Sequence, residues 1–307
     1  MKNSQKNAPL LSARNGGLLA AFVIALAVFG AAPSSANHPV LVEGNCDSPV
    51  PGTTIVDKGT CGDFDGDGRI GTAEDTDGAD RIFGTLNAAL GPGTGAAAGT
   101  GANQNGRIII VTSGRFSEPV SVSTNAMLSI QSTGHVQIEA APGVEANIDA
   151  VYQGDPAGGN NVRQEAIGLL VSLSSGATAT LRNLTIRNFA IGIRQQGSGR
   201  LLLENCRIDN NRDFGLQVLN ESKVVVERSV INATGRRVGT ANNTTAFGHG
   251  VQLADLATAI FNKSSILNAT GACVQNNSSR GSLKFETLIV ECEGGGVIGS
   301  PLINGTY

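Results

Sequence analysis

One pattern of apolar and polar residues recurs in successive copies between residues 167 and 299. Each copy opens with a small residue followed by an apolar one, and the openings lie 24, 23, 35, 23 and 23 residues apart: Gly168, Gly192, Gly215, Gly250, Cys273 and Gly296. A repeat of this period predicts a solenoid, because a unit so short cannot bury its own apolar side chains and has to stack on its neighbours.

Inside each copy, apolar and polar residues alternate over short runs, and no copy has the i, i+3, i+4, i+7 apolar spacing of a helix. A second set of apolar residues keeps the same period, and each has an apolar partner five residues later: Leu181 with Ile186, Leu203 with Ile208, Val226 with Ile231, Phe261 with Ile266 and Phe285 with Val290. No proline occurs in residues 157–300, which suits backbone N–H groups that bond to neighbouring copies. Each copy is therefore predicted to form two or three short strands.

The copies resemble the coils of a right-handed parallel β-helix, the fold of pectate lyases and their relatives. First coils of that superfamily often run apolar strand, glycine turn, aromatic residue, glutamate and apolar strand, and residues 107–122 follow this order. Further strands are expected over residues 127–131, 136–140 and 146–151. The expected fold class is all-β, a parallel β-helix solenoid over residues 105–307.

The N-terminal residues predict an export signal. Three basic residues precede an uncharged apolar run over residues 16–32, and small residues lead to Ala36. These are the parts of a secretory signal peptide over residues 1–36, and the alternative is a retained membrane anchor, because the run could span a bilayer. Beyond it we find no run long enough for a stable membrane span in the mature chain.

Charge narrows the choice of partner. Without residues 1–36 the chain keeps 19 of its 22 basic residues and all 25 acidic ones, a net charge of 19 − 25 = −6. Mild acidity disfavours nucleic acid and anionic membrane surfaces as partners. The expected location is secreted or extracytoplasmic, in a periplasm or at a cell surface, and the oligomeric state is left open.

Residues 63–74, Asp-Phe-Asp-Gly-Asp-Gly-Arg-Ile-Gly-Thr-Ala-Glu, resemble the calcium loop of an EF-hand or dockerin module. Such a loop needs oxygen ligands on alternate residues, a glycine for the sharp turn and a glutamate that closes the cage around Ca²⁺. The predicted ligands are the side chains of Asp63, Asp65, Asp67 and Glu74 and the backbone carbonyl of Arg69. The alternative is a solvated acidic loop. Because we find one loop only, a structural Ca²⁺ is expected rather than binding to a cohesin.

Five cysteines in an exported chain indicate disulfides, with one cysteine left over. Cys46 and Cys61 lie close together in the aperiodic segment 37–78 and are expected to pair. Cys273 and Cys292 fall in one coil and could meet across a corner. Cys206 takes the position of core leucines in other coils, so it is expected to be a small core residue.

The residues after the acidic loop predict a short helix. Residues 77–90 have two aspartates near their start, and their apolar residues follow the helical spacing: Ile82, Phe83, Leu86, Ala89 and Leu90. This stretch resembles the amphipathic helix that caps the first coil in many pectate-lyase-like proteins, where it covers the open end of the solenoid. Residues 79–104 are therefore expected to form a capping helix and a glycine-rich linker.

One position of the repeat predicts a line of polar side chains along the solenoid. The residue after the opening position is apolar in each coil, so the next residue should point outward by strand alternation: Leu170, Arg194, Gln217, Gln252 and Gln275. Two interpretations stay open. The last four could bind a linear polysaccharide, as the corresponding face does in pectin-degrading relatives. Alternatively, their side chains could hydrogen-bond to one another in a ladder that stabilises the stack, which is the interpretation we favour.

Arg194 and His249 are the candidate catalytic residues. A Gly-His-Gly motif surrounds His249, as in polygalacturonases, but the paired carboxylates of those enzymes have no counterpart, and His249 aligns with inward or corner positions. Arg194 is the only outward base on the polar line, and a lyase would also need Ca²⁺ or arginine to neutralise a uronate. The insertion over 234–246, which contains two arginines, could form a binding rim or a solvated loop.

The sequence therefore favours an exported Ca²⁺-binding β-helix without catalytic activity, structural or surface-associated, that contacts a polysaccharide or cell-surface glycan along one face. The alternative is a polysaccharide lyase or glycoside hydrolase that acts on acidic, pectin-like glycans. The two differ in the chemistry of one face. Clustered carboxylates and bases would indicate the enzyme, and a uniform polar ladder would indicate the scaffold.

Overall fold

The computed structural model describes residues 40–43, 81–90, 106–150, 165–235, 248–279, 282–286, 288–299 and 303–305, all within one compact unit, residues 37–307. These residues form three parallel β-sheets and one short helix. The strands are numbered β1 to β24 in chain order. A complete coil contributes one strand to each sheet in a constant order, and we name the sheets opening, middle and closing after that order.

The opening sheet contains β5 (Ala126–Ser132), β8 (Ile167–Leu173), β11 (Ile191–Gly197), β14 (Phe214–Val218), β17 (His249–Asp255), β20 (Val274–Ser278) and β23 (Val297–Gly299). The closing sheet contains β4 (Gly114–Phe116), β7 (Ala146–Asp149), β10 (Leu184–Arg187), β13 (Arg207–Asp209), β16 (Val230–Asn232), β19 (Ser264–Leu267) and β22 (Leu288–Glu291). In both sheets each strand pairs with the strands of the coils before and after it.

The middle sheet contains ten strands in the order β2, β1, β3 and then every third strand from β6 to β24. These are β1 (Val40–Val42), β2 (Arg81–Phe83), β3 (Gly106–Ile110), β6 (His135–Ala140), β9 (Thr178–Arg182), β12 (Arg200–Glu204), β15 (Lys223–Glu227), β18 (Thr258–Asn262), β21 (Leu283–Phe285) and β24 (Ile303–Gly305). The parallel pairing of strands separated by a whole coil confirms the predicted solenoid.

The core is a stack of aligned apolar rows. Five residues of the predicted second set pair in line through the middle sheet and are buried: Leu181, Leu203, Val226, Phe261 and Phe285. Four of their partners in the closing sheet are buried as well: Ile186, Ile208, Ile231 and Ile266. Burying a side chain of this size contributes about 1.5–3 kcal/mol, so the repeat that sets the register also supplies much of the folding free energy.

Close packing explains the glycine that opens most coils. A Cβ on Gly192 would lie 2.7 Å from the backbone oxygen of Gly215 and 2.8 Å from the Ile208 side chain. A side chain there would push the next coil away, and a close-packed interior does not absorb such a shift. Cys273 takes the opening position in one coil and forms a disulfide with Cys292 at a Cα–Cα distance of 5.4 Å, which confirms that pairing.

Cys206 is a buried free thiol packed into the main core, as predicted. Burial raises the pKa of the Cys206 thiol to about 11, so the group stays protonated at neutral pH and behaves as a small apolar residue.

In four successive coils, the corners on either side of the closing strand each contain one non-glycine residue with positive φ. Those before the closing strands are Asn183 (φ 57°), Asn205 (52°), Arg228 (46°) and Lys263 (48°), and those after them are Asn188 (68°), Asn210 (53°), Ala233 (52°) and Asn268 (54°). Asparagine adopts this left-handed conformation more readily than most residues. Its amides also stack between coils, since Asn205 Nδ2 donates to Asn183 Oδ1 at 2.8 Å and Asn210 Nδ2 to Asn188 Oδ1 at 2.6 Å.

The helix predicted over residues 77–90 is only partly present. Helix α1 spans Leu86–Leu90, whereas Arg81–Phe83 is strand β2, so the helical prediction was wrong for that stretch. β2 pairs with β1 and so extends the middle sheet, and this pairing satisfies backbone N–H and C=O groups of β2. The local spacing of apolar residues does not reveal such a pairing. Glu118 joins α1 to the solenoid, because its Oε1 accepts from the Leu86 N–H at 2.6 Å and its Oε2 from the Asn87 N–H at 2.8 Å.

Several predicted features lie outside the described residues. They are the signal peptide (1–36), the Cys46–Cys61 pair, the calcium loop (63–74), the linker (91–104) and most of the insertion at 234–246. In the part of the chain that is described, no helix is long and apolar enough to cross a membrane.

Candidate functional site

The predicted polar line lies in register on the opening sheet. Leu170, Arg194, Gln217, Gln252 and Gln275 are direct partners on successive strands. Arg194 Nε donates to Gln217 Oε1 at 2.6 Å, Gln217 Nε2 to Gln252 Oε1 at 2.5 Å, and Gln252 Nε2 to Gln275 Oε1 at 2.8 Å. The side chains therefore form the hydrogen-bonded ladder that one of the two interpretations predicted. We call the last four residues the amide ladder.

Arg194 is a hydrogen-bond donor in this ladder. Burial lowers the pKa of the Arg194 guanidinium from its ordinary value, because the charged form loses contact with water. In its charged form a guanidinium offers only N–H donors, which can bind a sugar hydroxyl or a carboxylate.

His249 occupies a packed corner beside the amide ladder. It pairs in register with Phe214 and is 7% exposed. Its Nδ1 accepts a hydrogen bond from the Ala272 N–H at 2.8 Å, and its ring stacks on Phe214 with the centroids 6.1 Å apart. One ring nitrogen is thus engaged by the backbone of the next coil, which suits a histidine that holds two coils together.

The residues aligned with His249 are not part of the main core. Four of them form a separate buried cluster together with Leu170 and Ala190: Ala126, Ile167, Ile191 and Phe214. Leu170 lies between Leu169 and Val171 on β8, and both of those belong to the main core, so Leu170 lies on the outer side of the opening sheet. His249 thus pairs with a residue of this separate cluster rather than with a residue of the main core.

Two charged residues at this corner, Arg212 and Glu165, carried no signal in the sequence. Arg212 donates to Asp213 through two bonds, from Nε to Oδ1 at 2.6 Å and from Nη2 to Oδ2 at 2.7 Å, and its Nη1 donates to Glu165. The hydrogen bonds to Asp213 and Glu165 raise the pKa of Arg212 above its ordinary value. The bidentate pair with Arg212 engages both carboxylate oxygens of Asp213.

Two surface grooves are formed by the described residues. One, of about 570 Å³, follows the turns from the opening to the middle sheet and has hydroxyl and amide side chains, among them Ser172, Gln196 and Asn220. The other, of about 450 Å³, lies at the corner between the middle and closing sheets and includes Glu145 and Arg207. Neither groove was predicted from the sequence.

No group of three or more His, Cys, Asp or Glu side chains among the described residues is arranged to hold a metal ion. The five predicted ligands lie outside the described residues, so the structure provides no geometry for them: Asp63, Asp65, Asp67, Arg69 and Glu74.

Comparison with known proteins identifies the fold family. Residues 128–289 match the family model described as "Right handed beta helix region". No curated protein and no solved structure matches the chain. The match covers over half of the 307 residues and coincides with the three parallel sheets, so this chain belongs to the right-handed β-helix family.

Proposed function

We propose that this protein is an exported, calcium-stabilised β-helix without catalytic activity, which binds a polysaccharide or cell-surface glycan along the outer face of its opening sheet. The observation that carries this proposal is the amide ladder, whose members are direct partners on successive strands. Stacked coils lie about 4.8 Å apart, so donors and acceptors recur at a constant interval along the face. The hydroxyl groups of a linear glycan also recur at a constant interval.

The hydrogen bonds within the ladder support binding rather than compete with it. Gln217 and Gln252 each use one N–H and one oxygen lone pair in the ladder, while an amide offers two of each. The remaining groups are held in one orientation by the neighbouring coils. A glycan that binds there does not have to freeze flexible side chains, which lowers the entropic cost of association.

The absence of catalysis is proposed from the groups beside the ladder. Arg194 is a hydrogen-bond donor, His249 has its Nδ1 engaged by backbone, and Asp213 is paired with Arg212. Hydrolysis needs one protonated and one ionised carboxyl on either side of the glycosidic bond, and elimination needs a positioned base. We find neither arrangement on this face among the described residues.

Export and calcium binding extend the proposal to the N-terminal residues. The basic and apolar start of the chain has the composition of a signal peptide, and the Cys273–Cys292 disulfide suits an oxidising compartment. The acidic segment 63–74 has the ligand spacing of a calcium loop. We further propose that α1 caps the first coil, since Glu118 binds its N-terminal N–H groups.

Glycan binding and catalytic activity can be tested in parallel on the same polysaccharides. The secreted protein is run in gels that contain neutral or acidic polysaccharides, and new reducing ends and new double bonds are assayed in parallel with Ca²⁺ present. We expect retardation by a polysaccharide, weaker retardation of Gln252→Ala, and no product. Gln137→Ala on the middle sheet is the matched control and should behave like the unmodified protein.

A product that disappears in Arg194→Ala or His249→Ala would replace this proposal with the alternative, a lyase or hydrolase acting on acidic glycans. Retardation that is equal in Gln252→Ala and Gln137→Ala would show that the ladder is not the binding surface.

The calcium site is tested by thermal unfolding with Ca²⁺ and with a chelator. We expect Ca²⁺ to raise the melting temperature and Asp63→Ala to abolish the rise, because a metal that binds only the folded state stabilises it by mass action. Asp77→Ala, just outside the loop, is the control. Equal melting temperatures with Ca²⁺ and chelator in the unmodified protein would contradict a structural calcium site.

A further inference from the structure

The turns that join the opening sheet to the middle sheet differ in length from coil to coil. Four residues, 174–177, separate Leu173 from Thr178, whereas only residues 198–199 separate their partners Gly197 and Arg200 in the next coil. The turn after that is equally short, because residues 219–223 bond in register to residues 195–199. The longer turn therefore stands beside a shorter one, which leaves a recess. The groove of about 570 Å³ lies at this place, and we call it the turn groove.

The short turn cannot rise to fill the recess. The N–H groups of Ser198 and Gly199 both donate to the Leu173 carbonyl of the preceding coil, at 2.9 and 3.2 Å. Gly197 has φ 97°, and a Cβ there would lie 2.2 Å from the same carbonyl oxygen, so only glycine fits. The backbone of this turn is thus held against the previous coil, and the exposed residues 174–176 of the longer turn lie beside it.

The side chains around the turn groove are polar and uncharged. They come from four successive coils and are mostly hydroxyls and amides, among them Gln131, Ser172, Gln196, Ser198 and Asn220. Three of them pair in register on the opening sheet, one coil apart: Gln131, Ser172 and Gln196. Gln196 Nε2 donates to Ser172 Oγ at 2.8 Å, which orients both groups.

This chemistry selects a class of ligand. Pockets of a few hundred Å³ with a few oriented polar groups are typical binding sites, and hydroxyl and amide groups pair with hydroxyl-rich ligands. A carboxylate placed among uncharged groups would lose its hydration without gaining a counter-charge, which is unfavourable. The turn groove therefore suits an uncharged sugar better than a uronate.

We propose that the turn groove binds one or two units of a neutral glycan, so that the ligand class of the opening sheet is neutral rather than acidic polysaccharide. This inference rests on the function proposed above and adds the subsite and the ligand class. Gln131, Ser172 and Gln196 lie on the same sheet as the amide ladder, so one glycan can contact both.

Nearby cations define the competing ligand class. Arg200 and Lys223 begin the adjoining middle strands, pair in register and are exposed. A uronate-containing glycan attracted by these charges would prefer that side of the turns. The experiment must therefore compare neutral and anionic probes of equal length.

The test uses the full secreted protein with cellohexaose and xylohexaose as neutral probes and hexagalacturonate as the anionic probe. Binding is measured by calorimetry and by saturation-transfer NMR. The double variant Ser172→Ala/Gln196→Ala removes the oriented pair, and Ser198→Trp fills the recess. Gln137→Ala is again the control, and thermal unfolding checks that every variant is folded.

We expect a neutral hexasaccharide to bind and both turn-groove variants to weaken it by about tenfold, as the loss of one or two hydrogen bonds predicts. Gln137→Ala should bind as the unmodified protein does. Hexagalacturonate should bind more weakly than the neutral probe.

Other outcomes overturn the inference and separate its failure from that of the proposed function. If hexagalacturonate binds more tightly than the neutral probes, the inference about the turn groove is wrong. It is also wrong if Gln252→Ala removes binding and neither turn-groove variant does. In both cases the proposal that the opening sheet binds a glycan stands. The same conclusion follows if polysaccharides bind and no neutral hexasaccharide does. If no glycan of any kind binds, both proposals fail.

Discussion

The opening sheet and the other two sheets are built on the same coil, but their outer faces are stabilised by different chemistry. In the described opening strands, Arg194 and Asp255 are the only Asp, Glu, Lys or Arg residues. The middle sheet instead has a row of opposite charges in register, Glu139, Arg182 and Glu204. On the closing sheet, Asp149 contacts Arg115 and Arg187 at 3.1 and 2.8 Å.

The difference follows from what a parallel stack does to a repeated residue. Each position of the coil lies directly above the same position of the next coil, so a repeated charge would face itself and repel. Charged rows therefore need to alternate in sign. Where Glu204 and Glu227 do align, Arg228 contacts both. Glutamine can repeat in every coil, because an amide is both donor and acceptor, and this allows the opening sheet to present one uniform face.

The largest expected effect lies on the closing sheet. Asp149 is fully buried and also accepts from Asn188 Nδ2 at 2.6 Å. Asp149→Ala would leave Arg115 and Arg187 without their shared carboxylate, and we expect a loss of about 3 kcal/mol in the free energy of unfolding, measured by urea denaturation. Asp209→Ala, whose side chain is 20% exposed beside Arg207, is the control and should cost less than about 1 kcal/mol. Equal losses would mean that burial does not distinguish the two carboxylates.

On the opening sheet, removing the middle of the amide ladder should cost less. Gln217 accepts from Arg194 and donates to Gln252, so Gln217→Ala removes the acceptor of Arg194 Nε and the donor to Gln252 Oε1. We expect a loss of about 1–2 kcal/mol by the same measurement. Gln275→Ala, which interrupts one bond of the ladder, should cost roughly half as much. A larger loss at Gln217 than at Asp149 would reverse the comparison between the sheets.

A substitution at a corner beside the closing sheet should stabilise the protein rather than destabilise it. Ala233 has φ 52°, a conformation that costs an L-residue with a Cβ roughly 1–2 kcal/mol. We expect Ala233→Gly to stabilise the protein by up to about 1 kcal/mol, seen as a higher melting temperature. Ala179→Gly, in strand β9 of the middle sheet, should instead destabilise it by about 0.5–1 kcal/mol. A lower melting temperature for Ala233→Gly would show that the turn tolerates its alanine without strain.

Added salt should change stability the least, and it should act on the middle sheet but not on the opening sheet. The Arg182–Glu204 pair is partly exposed, with 38% and 22% of the two side chains accessible, so high salt should weaken it by a few tenths of a kcal/mol. Glu204→Gln should therefore lose less stability on adding salt than the unmodified protein does. Gln252→Ala should show the unmodified salt dependence, and a change there would mean that the amide ladder is coupled to the ion pairs.

The sequence predicted the parts of the fold that depend on the repeat. A constant spacing fixes which residues align, so the core rows and the line from Leu170 to Gln275 could be placed from residue numbers alone. The pairing of Cys273 with Cys292 was one of the open possibilities for the same reason, because both lie in one coil.

The parts that the sequence did not predict depend on contacts between irregular segments. Glu165 lies 47 residues from Arg212, and no periodicity relates them. The apolar spacing near Phe83 indicated a helix, but pairing of β2 with β1 decided otherwise. The turn groove lies beside one turn, residues 174–177, that is two residues longer than its counterpart in the next coil. The repeat thus predicts the amide ladder, whereas the turn groove depends on an irregular turn.

The Cys273–Cys292 bond closes a whole coil into a covalent ring that passes through β20, β21 and β22. If the protein is pulled from its two ends, tension crosses the ring through the sulfur atoms and bypasses the chain between them. With a sequence separation of 19 residues, about 65 Å of contour length stays hidden from the force. When forced unfolding starts at the C-terminal end, this coil therefore cannot lengthen until its disulfide is reduced.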